Sequence, residues 1–133
     1  MSSFRALDIS SSALSAERLR LEVHLTNLAN AHTTRTAEGG PYRRREVVFE
    51  AASEFDHAVA GVRARIVEDD APARKIYDPG HPDADPDGYL AVPAVDPVLE
   101  QADIVSAARG YEANLAVLRI TKELLGRALD ISR

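Results

Sequence analysis

Three aspartates stand at alternate positions in Asp83-Ala84-Asp85-Pro86-Asp87-Gly88, the way a calcium loop opens. Oxygen ligands at that spacing, followed by a turn glycine, converge on one hard cation when a bidentate carboxylate fills the twelfth position. Here that position is Ala94, and Tyr89-Leu90-Ala91-Val92 reads as strand, so a solvated acidic turn is expected. The histidines, His24, His32, His57 and His81, include no pair at the i,i+4 spacing of a helical metal site. His81, between Asp78 and Asp83, is the one weak candidate, and no metal is expected. Ser10-Ser11-Ser12 and Ser15 lack the Gly-x-Ser-x-Gly turn that presents a nucleophile, and read as a polar helix face. Glycine-rich phosphate loops are absent. Without cysteine there is no thiol nucleophile, thiolate zinc site or disulfide. Neither a catalytic site nor a cofactor is expected from these residues, so the chain does not read as an enzyme.

The informative spacings are apolar. Leu7, Leu14, Leu21 and Leu28 fall seven residues apart near the N-terminus, with Leu25 beside them. Ile104, Tyr111, Leu118 and Leu125 repeat that spacing near the C-terminus, flanked by Ala108, Leu115 and Leu129. Such a stripe is stable only when another helix covers it. A first helix is expected from about Phe4 to about Asn30, with Ser2 and Ser3 as caps. Asp96-Pro97 opens a last helix running to about Ile131, because aspartate caps and proline suits the first helical position. Gly110 weakens that helix by about 1 kcal/mol, unless it permits close approach of a neighbouring helix.

Between these ends the prolines and glycines break helical continuity. Gly39-Gly40-Pro41 stops the first helix, and Asp78-Pro79-Gly80-His81-Pro82-Asp83 is dense turn chemistry. Strands are expected over 42–49, 62–67 and 89–92, while 51–60 stays open between helix and loop. The expected fold is mainly α: two terminal helices brought together, with a small irregular β-containing segment projecting. Residues 1–33, 34–95 and 96–133 divide it into first helix, middle segment and last helix, one axial domain with an outer projection.

The 133 residues are 45% hydrophobic but only 5% aromatic, without tryptophan, a mix suited to helical seams. An isolated core of that size is marginal, and burial against other subunits supplies what it lacks. The net charge is −5, and between Glu68 and Asp103 only Arg74 and Lys75 offset the acidic residues. That stretch repels nucleic acid and anionic lipid. Arg43-Arg44-Arg45 is short and flanked by Glu38 and Glu46. No apolar run approaches the roughly 18 residues that span a bilayer. The N-terminus lacks the basic and apolar regions of a signal peptide. Balanced charge on the helices also argues against a membrane-surface role.

The run Asn27-Leu28-Ala29-Asn30-Ala31-His32-Thr33 resembles the sequence that closes the first helix in bacterial flagellar rod and hook proteins. Asp8-Ile9-Ser10 and Leu14-Ser15-Ala16-Glu17-Arg18-Leu19-Arg20 before it are typical of the same group. Gly39-Gly40-Pro41-Tyr42-Arg43-Arg44-Arg45, leading to Val47-Val48-Phe49, resembles more narrowly its proximal rod branch. So does Asp78-Pro79-Gly80-His81-Pro82-Asp83-Ala84-Asp85 with Gly88-Tyr89. Ala107-Ala108-Arg109-Gly110-Tyr111-Glu112-Ala113-Asn114 is similar to the family's last-helix motif. Two departures stand out. His32 replaces the asparagine of the usual Ala-Asn-Thr, and Pro93-Ala94-Val95-Asp96 changes both asparagines of a Pro-Asn-Val-Asn pattern.

The resemblance implies an antiparallel, coiled-coil-like pair of terminal helices and a structural role in the basal-body rod, transmitting torque from motor to hook. It implies self-copies, other proximal and distal rod subunits, a rod-base adaptor and the flagellar type III export apparatus as partners. It implies a periplasmic rod location reached without a cleaved signal peptide. The two apolar rows would be assembly contacts. Asn27 and Asn30 would anchor the chain reversal after the first helix, with Gly39, Gly40, Pro41 and Tyr42 in the following turn. From the residues alone, a soluble helical dimerisation module unrelated to flagella remains the first alternative, and a small metal-dependent hydrolase using His81 with Asp83, Asp85 and Asp87 the second.

Overall fold

The computed structural model describes residues 2–53 and 59–131. Its order is α1 (Ser2–Ala29), β1 (Arg45–Ser53), β2 (Val59–Glu68), β3 (Arg74–Tyr77), β4 (Tyr89–Val92) and α2 (Pro97–Ile131). The fold is mainly helical, with two small two-stranded antiparallel sheets between the helices. His57 and the middle of the undecided 51–60 segment lie outside the described residues; the flanks of that segment belong to β1 and β2.

Both long helices form where the apolar repeats and breakers place them. Asp96 Oδ1 accepts the Val98 amide at 2.9 Å and the Leu99 amide at 3.4 Å, capping α2 ahead of Pro97. At 35 residues, α2 is about 52 Å long at 1.5 Å per residue. The first helix begins at Ser2, so the two serines expected as caps occupy its opening turn instead. Glu17 on α1 lies against Gly110, while His24, further along α1, meets Glu100, earlier in α2. The helices therefore run antiparallel. A Cβ on Gly110 would sit 2.8 Å from a Glu17 carboxylate oxygen, so the absent side chain is what lets Glu17 lie across α2.

β1 and β2 form a hairpin in the register Val47↔Ile66 and Phe49↔Ala64, with an irregularity between Ala52 and Ser53. Among the described residues it packs along α1, and none of its Cα atoms comes within 8 Å of one in α2. The first strand starts at Arg45 and not at Tyr42, because the Tyr42 amide turns back to the Thr33 carbonyl at 3.0 Å and its ring is buried. With Ala31 and Val95, Tyr42 makes a small core under the helix ends. The hairpin is also pinned further out: the Val62 amide donates to Ser12 Oγ at 2.9 Å, and that hydroxyl donates to the Ile9 carbonyl at 2.8 Å. Gly61, at φ +153°, makes this approach possible, since a Cβ there would lie 2.5 Å from Ser12 Oγ.

The second sheet pairs β3 with β4, Ile76 opposite Leu90. β4 lies where expected, but β3 carries no apolar alternation and all four of its residues are exposed. It is a strand because buried Leu90 holds β4 against the fold and β4 offers it a pairing edge. The Tyr77 and Tyr89 rings close the pair edge to face, 5.4 Å apart. No helix among the described residues is long and apolar enough to cross a membrane.

Replacing Gly61 by alanine drives a methyl into the Ser12 hydroxyl and breaks its bond to Val62. A loss of about 1–3 kcal/mol is expected, read as a lower urea midpoint with selective loss of exchange protection at the Val62 amide.

Candidate functional site

One carboxylate organises the junction between the helices and the hairpin. Glu100, in the first turns of α2, is 1% exposed. A buried carboxylate without donors is prohibitively costly, and Glu100 is supplied from two other segments. His24 Nδ1 lies 2.7 Å and Asn27 Nδ2 3.2 Å from Oε2, both from α1. Arg44 Nε, from the residue just before β1, donates to Oε1 at 2.6 Å. An ionised carboxylate can only accept, so the His24 proton facing it is on Nδ1. Arg44 also pairs with Glu46 and lies 3.7 Å from Asp69 and 3.9 Å from Asp103.

Asn27 extends the junction. It is fully buried, and its amide treats Arg45 as a neighbouring strand would. Nδ2 donates to the Arg45 carbonyl at 2.8 Å, and Oδ1 accepts the Arg45 amide at 3.0 Å and the Tyr42 hydroxyl at 2.9 Å. Asn30 acts locally, donating to the Thr26 carbonyl at 2.9 Å and accepting the Thr33 hydroxyl at 3.0 Å. Gly39 and Gly40 form the turn that follows, where the Thr36 amide reaches the Gly40 carbonyl at 2.9 Å, and Pro41 leads from it into Tyr42.

Electrostatics follow from this packing. Burial alone would raise the Glu100 carboxyl, but the bonds from His24, Arg44 and Asn27 and the Arg44 charge outweigh it and hold it below its ordinary value. For Arg44, burial works against the charge, and the bonds to Glu46 and Glu100 more than restore it. Burial chiefly raises the Tyr42 hydroxyl, with Glu100 and Glu68 nearby adding to it. His24, Glu100 and Asp103 bring three potential metal ligands together. The Arg44 guanidinium occupies the side from which a cation would approach, and Glu100 already accepts from three donors. The cluster is a structural joint that holds α1, α2 and the segment before β1 together.

The acidic turn is likewise used internally. Asp85 Oδ1 accepts the Asp87 and Tyr89 amides at 3.0 and 2.8 Å. Asp83 accepts the Thr34 hydroxyl at 2.9 Å and Arg35 at 3.4 Å, and His81 Nδ1 accepts the Asp83 amide at 3.1 Å. These carboxylates close a turn rather than converge on an ion.

The apolar rows take a specific place. The fully covered positions of the helix pair are small or polar: Ser10, Ala16, Val23, His24 and Asn27 on α1, Glu100 and Ala107 on α2. Leu7, Leu14, Leu21 and Leu28 flank that strip half-buried, as do Ile104, Ala108, Tyr111, Leu115, Leu118 and Leu125 on α2. Leu25 and Leu129 are exposed, by 48% and 69%. Helical geometry puts the Leu7–Leu28 row on the flank of α1 opposite Ser12, the residue that holds the hairpin. A second apolar stripe escaped the sequence reading. Val117, Ile120, Leu124 and Ile131 lie on the other side of α2, all exposed. Its spacing of seven between Val117, Leu124 and Ile131 was the available signal. The joint residues had none: His24 stood alone, Arg44 sat inside a basic run, and Glu100 counted only as charge.

Substituting Glu100 with alanine removes the acceptor of His24 and one acceptor each from Arg44 and Asn27, which keep Glu46 and the Arg45 carbonyl, for an expected cost of about 1–3 kcal/mol in chemical denaturation. With a folded-state value below the ordinary 4.5, the carboxylate's contribution is complete above about pH 4.5 and lost as pH falls through the depressed value. Wild-type stability should fall below that pH, and the alanine variant should show a flatter profile.

Known proteins place this architecture. A family model described as Flagellar basal body rod FlgEFG protein C-terminal matches residues 87–131, β4 and α2 included. The flagellar basal-body rod protein FlgC of Yersinia enterocolitica is 42% identical over 134 residues, covering 100% of both chains. That of Bacillus subtilis (strain 168) is 39% identical over 150 residues, again covering 100% of each. The Aquifex aeolicus protein of the same name is 38% identical, covering 98% of this chain and 97% of its own. Similarity of this size along the whole length means that the chain belongs to the FlgC family of flagellar basal-body rod proteins, a family of structural proteins and not of enzymes.

Proposed function

We propose that this chain is a subunit of the bacterial flagellar basal-body rod, polymerising with other rod proteins to transmit torque from motor to hook. The observation that carries the reading is the full-length similarity to rod proteins, 42% in the Yersinia relative. Apolar residues left on two sides of the helix pair support it physically. The half-buried rows of Leu7, Leu14, Leu21 and Leu28 on α1 and of Ile104 and Tyr111 on α2 make up one side. The exposed Val117, Ile120, Leu124 and Ile131 form the other. A closed two-fold dimer hides one self-complementary patch, whereas two unlike apolar faces suit open-ended, head-to-tail association. This favours rod assembly over a self-contained dimerisation module.

In this reading the terminal helices, 1–33 and 96–133, pack with those of neighbours in coiled-coil-like fashion, and 34–95 projects outward. The neighbours are copies of the chain and other proximal and distal rod subunits, with an adaptor at the rod base. The chain reaches the periplasmic part of the basal body through the flagellar export apparatus, without a cleaved signal peptide. Torque then passes through side-chain contacts, with the leucine rows supplying burial and polar residues fixing orientation.

Deleting the gene in its source bacterium and imaging purified basal bodies tests the assignment. Non-motile cells with rods arrested at the base, restored by the wild-type chain, are expected. Normal rods and swimming would overturn it. A finer test is Leu124→Asp, at a side chain 60% exposed. Its urea midpoint should shift by no more than about 0.5 kcal/mol, yet it should fail to restore swimming. Restored swimming would remove the α2 stripe from the assembly contacts.

A further inference from the structure

We propose that the Glu100–Arg44 pair is an acid-released joint that sets the angle between the β1–β2 hairpin and the helix pair. Among the described residues the hairpin strands pack on α1, and none of their Cα atoms comes within 8 Å of one in α2. What ties the hairpin's base to α2 is the side chain of Arg44, one residue before β1, on the carboxylate of Glu100. The same carboxylate holds Asn27, whose amide fixes Arg45, and the Arg44 carbonyl accepts the Asp69 amide at 2.8 Å beyond the end of β2. Both strands of the hairpin therefore leave one charged knot.

Further out, the attachment is of a different kind. Ser12 holds the Val62 amide, and the Arg20 guanidinium lies 5.5 Å from the Phe49 ring centroid. Neither contact runs through Glu100; Arg20 is held by Glu17 at 2.8 Å. A drop in pH should accordingly release the base of the hairpin while leaving the outer attachment made, so that the hairpin pivots rather than unfolds.

The groups around the Glu100–Arg44 pair show which protonation matters. From α1 comes His24; from the segment before β1 come Arg44 and Tyr42; Glu46 follows on β1, Asp69 lies after β2, and Asp103 is on α2. His24 donates Nδ1–H whether neutral or charged, so its charging keeps the bond and adds attraction. Arg44 stays charged throughout. Protonating Asp103 or Asp69 removes only partners at 3.9 and 3.7 Å, and protonating Glu46 loosens its own bond to Arg44 while leaving the Arg44–Glu100 bond in place. Protonating Glu100 is different, because it turns an acceptor-only group facing three donors into one that carries a proton of its own. The carboxyl of Glu100 is therefore the trigger, and the inference holds whichever assembly the chain enters.

The test is residue-resolved amide exchange on the full-length chain, corrected for intrinsic rates, from about pH 6 down to the pH at which the Glu100 carboxyl carbon shift shows it protonated. Protection of the Arg45 amide, which Asn27 accepts, should fall at least about tenfold, in step with that titration. The Asp69 amide, bonded within the hairpin to the Arg44 carbonyl, the Val62 amide and the helix amides around Ala16 and Ala107 should keep theirs. Glu100→Gln should show the weakened Arg45 protection already at the higher pH and lose the dependence. Uniform loss across hairpin and helices, or an Arg45 amide still protected once Glu100 is protonated, would overturn the proposal. The wild-type series decides this even if the glutamine variant does not fold.

Discussion

The fold depends on giving a buried carboxylate enough donors. Glu100 cannot be left in a dry junction alone, and no single segment of the chain supplies what it needs. Its three donors come from the end of α1 and from the residue before β1, and it brings the start of α2 itself. The arrangement is satisfied only when all three segments arrive together. That requirement substitutes for hydrophobic bulk, because the buried apolar cluster beneath it amounts to Ala31, Tyr42 and Val95. An apolar core of that size would not by itself define how a hairpin stands on a helix pair. Directional bonds to a charge do, at the cost of sensitivity to that charge.

What could be read from the sequence follows the range of the signal. Asp96-Pro97 marks the start of α2 because capping is decided by residues two or three apart. The β4 strand and the Asp83–Gly88 turn were legible for the same reason, since Asp85 bonds amides two and four residues on. β3 was not, because Arg74, Lys75, Ile76 and Tyr77 are all exposed and owe their conformation to a partner strand. Nor was the place where β1 begins, which is set by Tyr42 turning back on Thr33. The joint was the least legible feature. Arg44 and Glu100 are 56 residues apart, and His24 and Glu100 are 76 apart, so no local spacing reports them.

The leucine rows show a subtler displacement. A seven-residue repeat locates a helix face, and that face does flank the contact between α1 and α2. Its centre is held by Ala16, Val23 and Ala107, residues small enough for the backbones to approach. The leucines lie beside it, partly covered by the partner helix and partly open. Large side chains at the rim of a close contact are poorly used by one molecule and well placed to meet another. This is why the rows are compatible both with a helical hairpin and with assembly, and why the family resemblance, not the periodicity, separated the two readings.

A repeating apolar seam also has a weakness that the polar residues remove. Sliding one helix past the other by a full heptad would bring leucine against leucine again, so the rows specify a face but not a register. Two contacts break the degeneracy. Glu17, paired with Arg20 at 2.8 Å, fits against α2 only where Gly110 leaves room. Glu100 finds its donors only opposite His24 and Asn27. A heptad slip would set Glu17 against a side chain in place of the glycine and strand the buried carboxylate. The Arg20 guanidinium also lies over Phe49, so the first contact reaches the hairpin as the second does. Register within the helix pair and placement of the hairpin are thus decided by the same few polar residues, while the leucines lie half-buried at the rim of the helix contact.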